Sequence, residues 1–473
     1  MNFKNYLLMG AAMLATATCF TACDEDDPVN NGTEQPDTPD TPDTPDTPEE
    51  PTDPWANADV VTWPGDTVVN LDDHFLVPEG KSLVIEAGAQ VIFNTAGVGV
   101  NHTPIEFTVD GNLYCEGTEE APVLFSVPEA DRTEANIFAG LWGGIVASNT
   151  CAEMLIDHTI IEYTGGQVIE GSPAATNGVY TAGDDAYPQI TTNNINGKYI
   201  ITNSIIRNGW SDGIYLMGGQ AIIANNIFAA NGYDGAEAVN VKAGCQVDVA
   251  NNIMFSPNTN GLKLSSSGQS ENRGQAKIQA YNNTIINAGW RRDGEKGGCI
   301  YVEKNALANV FNNLIVNCKF RAMTPSFNIP NDPEEGYADA SVIDYNYYAS
   351  GSQKSDIIFE EESGVAYAWA GYNYEHEDYN QGVVDANSVI ATEDDLKDPQ
   401  FVNFDINQVA LTSYSYDSAW DFHVNAGSPV LSGAYAGSDA FATPLFGSNG
   451  LNVNGKSYTS PAVQAQFGAF GAN

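Results

Sequence analysis

Down the middle of the chain, apolar and polar residues alternate with a period of two in short runs. Gly213-Ile214-Tyr215-Leu216, Ala238-Val239-Asn240-Val241, Gly261-Leu262-Lys263-Leu264 and Cys299-Ile300-Tyr301-Val302 all follow it. That period sends successive side chains to opposite faces, so the runs predict strands and not helices. A second pattern is interleaved with the first: Asn followed by an apolar pair, directly at Asn226, Asn252, Asn313 and Asn346 and after one Ser or Thr at Asn203 and Asn283. The intervals are 23, 26, 31, 30 and 33 residues. A unit of this length cannot bury an apolar face alone and must stack on its neighbours. Two or more short strands per coil, stacked parallel, predict an all-β, right-handed parallel β-helix. The same register puts His158-Thr159-Ile160-Ile161 on the Asn row and Gly178-Val179-Tyr180-Thr181 on the strand row.

Asn suits such a row for two reasons. At a strand spacing of roughly 4.8 Å its amide both donates and accepts along the stack, giving a continuous ladder. It also tolerates the left-handed backbone that tight corners require.

The N-terminal end breaks the pattern. Lys4, an apolar stretch from Tyr6 to Ala17 and then Thr21-Ala22-Cys23 predict a signal peptide over residues 1–22. The small residues before Cys23 resemble a lipobox, which implies lipid attachment to Cys23. The apolar stretch is too short to span a bilayer. Membrane contact is therefore expected through the N-terminal lipid only, where several acyl chains hold better than one. Residues 24–54 contain 12 acidic residues, 8 Pro and no Lys or Arg, with Pro-Asp-Thr repeated from Pro36 to Thr47. Such a segment builds no core and stays disordered and extended, reaching roughly 95 Å at about 3.1 Å per residue. It reads as a tether carrying one folded domain, residues 55–473.

Asp24-Glu25-Asp26-Asp27 after Cys23 resembles the surface-export signal of Bacteroidetes lipoproteins. An Asp at that place resembles an inner-membrane retention signal in enteric bacteria. The long stand-off favours an outer-membrane address facing the exterior.

From residue 55 onward 49 acidic residues face 17 basic ones, a net charge of −32. That balance argues against nucleic acid or anionic lipid as a partner, since both require cationic surface. Five Cys, at 115, 151, 245, 299 and 318, show neither a disulfide framework nor a zinc spacing and are expected as small core residues. The domain is expected to be a monomer with no cofactor and no resident metal, Ca²⁺ being the one ion its chemistry would call on.

Turn motifs carry a family resemblance. Leu83 to Phe93 alternates around a Gly turn, Gly117-Thr118 precedes Ala121-Pro122-Val123-Leu124-Phe125, and Leu141-Trp142-Gly143-Gly144-Ile145-Val146 follows. These resemble the first coils of bacterial lipoproteins and secreted proteins with a pectin-lyase-like right-handed β-helix. Asp398 to Asn403, Phe422 to Val430 and Gly468 to Gly471 resemble that family's closing coils. The likeness spans roughly residues 60–473 and implies a surface protein associated with glycans. It implies no catalytic residue.

Insertions at 163–200, 266–276, 287–298 and 320–340 are expected to wall a groove. Beside it, aligning the strand runs stacks an outward row of Tyr180, Tyr215, Asn240, Lys263 and Tyr301, with Met217, Lys242, Ser265 and Glu303 in the next. Aromatic faces flanked by amides and ammonium groups suit a polysaccharide. From Lys242 to Lys304 lie 8 of the 17 basic residues against 5 acidic ones. Arg291, Arg292 and Lys296 share one inserted loop, where they either hold a uronate or sulfate or pair with Asp293 and Glu295.

A uronate lyase would need Lys242 or Lys263 as base and Arg291, Arg292 or Ca²⁺ as neutraliser. A glycosidase of the polygalacturonase type resembles a Gly-His-Gly set that this chain lacks; Asp184-Asp185 is a weak match to its acidic pair. Asp212 and Glu237 are a second carboxyl pair, to be compared with the roughly 6.5–9.5 Å of an inverting enzyme. Tyr367, Trp369, Tyr372, Tyr374 and Tyr379 are expected to cap the solenoid. The function expected is glycan or polysaccharide binding at the cell surface, with an acidic-glycan lyase or hydrolase second and a structural adhesin third.

Overall fold

The computed structural model describes residues 53–294, 297–319, 321–327, 341–354 and 385–472. The leader, Cys23, the tether through residue 52, Lys296 and the Tyr367–Tyr379 cluster lie outside the described residues. Asp53–Asn473 forms one compact unit.

Each coil supplies one short strand to each of three sheets. Ser82–Glu86 lies in sheet A, Gln90–Phe93 in sheet B, Phe107–Val109 in sheet C, and Asn112–Glu116 returns to sheet A. Sheets A, B and C contain ten, eleven and nine strands, all paired parallel. The chain is a right-handed parallel β-helix. Inward residues stack in columns: Leu113, Met154, Tyr199, Ala221 and Val247 are register partners across sheet A, each fully buried. Near the N-terminal end Phe93 stacks on Trp142 at 3.7 Å. The five cysteines among the described residues are buried and form no disulfide.

The ladder runs inside the corner between sheets A and B. Asn226 Nδ2 donates to Asn252 Oδ1 at 3.0 Å, Asn252 to Asn283 at 2.9 Å, Asn283 to Asn313 at 2.9 Å and Asn313 to Asn346 at 3.0 Å. Each oxygen also accepts the backbone N–H of the residue below, as Asn252 Oδ1 does from Asn226 at 3.0 Å.

Two assignments move by one residue. The rungs below Asn226 are Ser204 and Thr159, whose amides bond to Asn226 Oδ1 and Ser204 Oγ, and not Asn203 and His158. Asn203 and His158 occupy the preceding position, where φ is positive (52° and 44°). Asn225, Asn251, Asn282 and Asn312 sit there too, with φ between 51° and 59°. The left-handed corner and the ladder rung are thus adjacent residues, and each Asn-Asn doublet holds one of each.

The C-terminal segment does not add closing coils. It forms antiparallel pairs, Phe401–Asn403 with Asp421–Val424 and Leu451–Val453 with Lys456–Tyr458, and packs on the outside of the solenoid. Phe446, Leu451 and Val453 cover Tyr114, Leu155, Ile200 and Ile222 on the outer face of sheet A. Asp248, in that same outward row, accepts the amides of Leu445 and Phe446 and the Ser460 hydroxyl at 3.0, 2.9 and 2.6 Å. Phe401, Phe404, Phe422 and Phe467 cover sheet B around Phe255, Leu314 and Tyr347. Much of the outer face of each sheet is therefore covered by apolar contacts, as on buried parallel strands. Sheet C keeps a polar outer row.

Candidate functional site

On sheet C the outward row runs Thr191, Tyr215, Asn240, Lys263, Tyr301 in strict register. Four of the five residues expected there are vertical neighbours. Tyr180 is not in the row, because the strand of that coil is Ile190–Thr192. Gly178 to Thr181 imitates the alternation but belongs to a turn, in which the Val179 and Tyr180 amides both donate to the Ala174 carbonyl. Tyr180 still arrives at the row from above. Its hydroxyl lies 2.7 Å from Thr191 Oγ1, and its ring meets Tyr215 edge-on at 6.4 Å.

The segment that carries Tyr180 is pinned to the sheet by one carboxylate. Glu106, fully buried, accepts from Tyr187 Oη at 2.7 Å, Thr108 Oγ1 at 2.7 Å and the Ala174 amide at 2.8 Å. Burial raises its pKa even against these three donors. Val168, Ala174 and Tyr187 then pack over Val146, closing the lower part of the sheet C face.

Two acidic side chains meet at the entrance to the row. Asp212 and Glu237 each lie two residues ahead of a sheet C strand, on successive coils. Asp212 Oδ1 accepts the Glu237 amide at 2.6 Å; Asn240 Nδ2 reaches Asp212 Oδ2 at 3.3 Å and Glu237 Oε2 at 3.0 Å. Asn260 Nδ2 holds Glu237 Oε1 at 3.0 Å. One amide nitrogen reaching both oxygens brings the pair closer than the roughly 6.5–9.5 Å of an inverting glycosidase. Burial, then the Glu237 carboxyl, pushes Asp212 well above the ordinary carboxylate range. Two carboxyls in contact hold one proton between them more readily than two negative charges.

Lys242 lies one step along. Its ammonium sits 5.2 Å from the Tyr215 ring centroid. Burial, then the neighbouring Lys263, lowers its pKa, against the pull of Asp212 and Glu237. Lys263 lies 5.7 Å over Tyr301 and 3.7 Å from Glu303, which also accepts the Ser265 hydroxyl at 3.0 Å.

Arg291 and Arg292 are placed elsewhere. Arg291 donates to the carbonyls of Gly232, Asn231 and Ser256 and to Ser256 Oγ, and stacks 4.7 Å over Phe138. Its guanidinium staples a corner. Arg292 pairs with Asp234 at 2.5 Å. Both line a concavity of about 610 Å³ with Phe138 and Tyr414, apart from Lys242 and Lys263. The base-and-neutraliser pairing of either lysine with either arginine is not assembled. With the Arg291 donors taken by carbonyls and Arg292 paired to Asp234, that concavity offers an anionic ligand few free donors, and Asp293 also lines it.

Two other concavities adjoin on sheet C. One, of about 510 Å³, has Asp184, Asp185, Asp212 and Glu237 with Trp210 and Tyr180 in its walls. The other, of about 380 Å³, has Lys242 and Arg273. Val179, Tyr215 and Met217 line both. Arg273 and Trp210 were not legible as site residues, because nothing local shows that loop 266–276 folds back over Asn193. Arg273 Nη2 is within 2.5 Å of Asn193 Oδ1. Among the described residues no group of three or more His, Cys, Asp or Glu converges as a metal site.

No known protein family, no curated protein and no solved structure matches the chain. The likeness in turn motifs rests on those residues alone.

Proposed function

We propose that the chain binds an extracellular polysaccharide along the outer face of sheet C, displayed at the cell surface by lipid on Cys23. One observation carries this reading: the chain's own C-terminal segment covers much of the outer faces of sheets A and B, whereas sheet C retains Tyr215, Lys263 and Tyr301 in one register row, with Asn240 buried between them, beside two joined concavities. Sugar rings stack their C–H faces on tyrosines and hydrogen-bond at the edges, which such a row provides at strand spacing. Contact is shallow and repeated, and affinity comes from length. Affinity electrophoresis through gels containing plant and host polysaccharides tests it. Retardation that Tyr215→Ala and Lys263→Ala abolish supports the reading; no retardation in any gel, or retardation indifferent to both substitutions, overturns it.

A second reading, cleavage of an acidic glycan by β-elimination, is favoured by Lys242. Its amine is part-buried beside the row, and burial lowers its pKa towards the range in which a base works. Incubation with polyuronates and Ca²⁺, followed by absorbance of unsaturated products, separates cleavage from binding alone.

A further inference from the structure

The two concavities that meet at Tyr215 carry opposite charge. No Lys or Arg lines the larger one, which presents Asp184, Asp185, Asp212, Asp234 and Glu237. No Asp or Glu lines the smaller one, which presents Lys242 and Arg273. Val179, Tyr215 and Met217 line both. Resting on the polysaccharide reading above, we propose that this is one cleft for a saccharide bearing both charges: an anionic substituent, carboxylate or sulfate, between Lys242 and Arg273, and a free amine on the adjoining sugar in the acidic concavity.

The anionic half rests on unused cations. From residue 55 onward acids outnumber bases 49 to 17, yet no Asp or Glu lines the cavity that holds Lys242 and Arg273. Lys81, Arg207, Lys397 and Lys456 all have acidic partners within 3.0 Å. Lys242 is part-buried, yet among the described residues it forms no ion pair and donates no hydrogen bond; it rests only on the Tyr215 ring. Arg273 is held through Nη2 by Asn193, while Nη1 is buried with no acceptor. Two desolvated donors lining one cavity suit an anionic oxygen group, for which a charge-assisted bond is strong.

The amine half rests on an acidic wall that has aromatic faces. Asp234 is already neutralised by Arg292, but Asp184 is exposed and Asp185 accepts only the Thr181 amide through its side chain. Trp210 and Tyr215 lie beside these carboxylates. Carboxylates with aromatic faces hold an ammonium both by charge and by the ring quadrupole. Asn240 Nδ2 holds Asp212 and Glu237 together in that wall.

The test uses two tetrasaccharides of alternating uronate and glucosamine, alike except that the glucosamine amines are free in one and acetylated in the other. A neutral glucose tetrasaccharide is the third ligand. Titration calorimetry of the purified protein at low ionic strength is expected to show the free-amine form binding at least tenfold tighter than the acetylated form, and the neutral one weakest. Lys242→Gln is expected to weaken both charged ligands about five- to tenfold, and it breaks no hydrogen bond of the fold. The Asp184→Asn, Asp185→Asn double substitution is expected to erase the amine preference while leaving the acetylated ligand unchanged. Unchanged melting temperatures establish that both variants are folded. Equal or tighter binding of the acetylated form overturns the two-charge cleft and leaves polysaccharide binding standing. Absence of binding by all three ligands also overturns the two-charge cleft, and retardation in the polysaccharide gels then decides the wider reading.

Discussion

Asn251 and Asn252 are chemically identical neighbours whose replacement by Gly has very different consequences. Asn252 Oδ1 accepts the Asn226 amide and Asn226 Nδ2, both at 3.0 Å, and its Nδ2 donates to Ile223 O at 3.0 Å and Asn283 Oδ1 at 2.9 Å. Asn226 Nδ2 keeps a second acceptor, Ile201 O, and Asn283 Oδ1 keeps a second donor, the Asn252 amide. The Asn226 backbone N–H keeps nothing. Leaving one buried donor unmade costs about 1–3 kcal/mol, and the other lost bonds add roughly 1 kcal/mol each. Asn252→Gly is therefore expected to destabilise by about 4–6 kcal/mol. Asn251 has φ of 56° and a buried Oδ1 with no partner, a backbone that Gly adopts freely. Asn251→Gly is expected to stay within about 1 kcal/mol of the parent, the residual being unfolded-state entropy. Urea titration followed by circular dichroism reads both, provided the slope m is unchanged. A loss under 1 kcal/mol for Asn252→Gly, or equal losses for the two, refutes the division of labour between corner and rung.

Three further outcomes follow from the same structure. Arg291→Gln, which removes the staple to three carbonyls, is expected to destabilise by about 2–4 kcal/mol while leaving polysaccharide retardation intact once folded, measured by urea titration and affinity electrophoresis in parallel. For Asp212 the folded pKa is raised, so its proton stabilises the fold below the ordinary carboxylate range, and that stability is lost as pH rises through the folded value. Stability measured from pH 4 to pH 8 is therefore expected to fall less steeply in Asp212→Asn than in the parent; identical slopes contradict the assignment. Removing residues 398–473 is expected to expose the apolar outer rows of sheets A and B, giving strong binding of a hydrophobic dye and aggregation; a soluble, dye-silent product contradicts the covering role.

The fold was legible because periodicity is local: alternating runs and Asn doublets recur whatever lies between them. The rung was read one residue early at Asn203 and His158 because polar Ser204 and Thr159 take over the ladder there, and residue type alone does not distinguish a corner from a rung. Tyr215, Asn240, Lys263 and Tyr301 share their row because strand register is a matter of counting. Tyr180 does not, since an inserted turn can copy the alternation of a strand without pairing to one. Arg291 shows the other limit. A loop arginine reads as a free charge until folding supplies three carbonyls for it. The return of the C-terminal segment over sheets A and B depends on contacts across some 200 residues, and no local pattern encodes it.

The most direct measurement is hydrogen–deuterium exchange of the protein with and without a polysaccharide that retards it. Protection confined to 178–187, 210–217, 234–243 and 266–273, where the two concavities meet, is the expected result. Protection over 445–460 or along sheet B, with none around Tyr215, contradicts the placement of the binding face on sheet C.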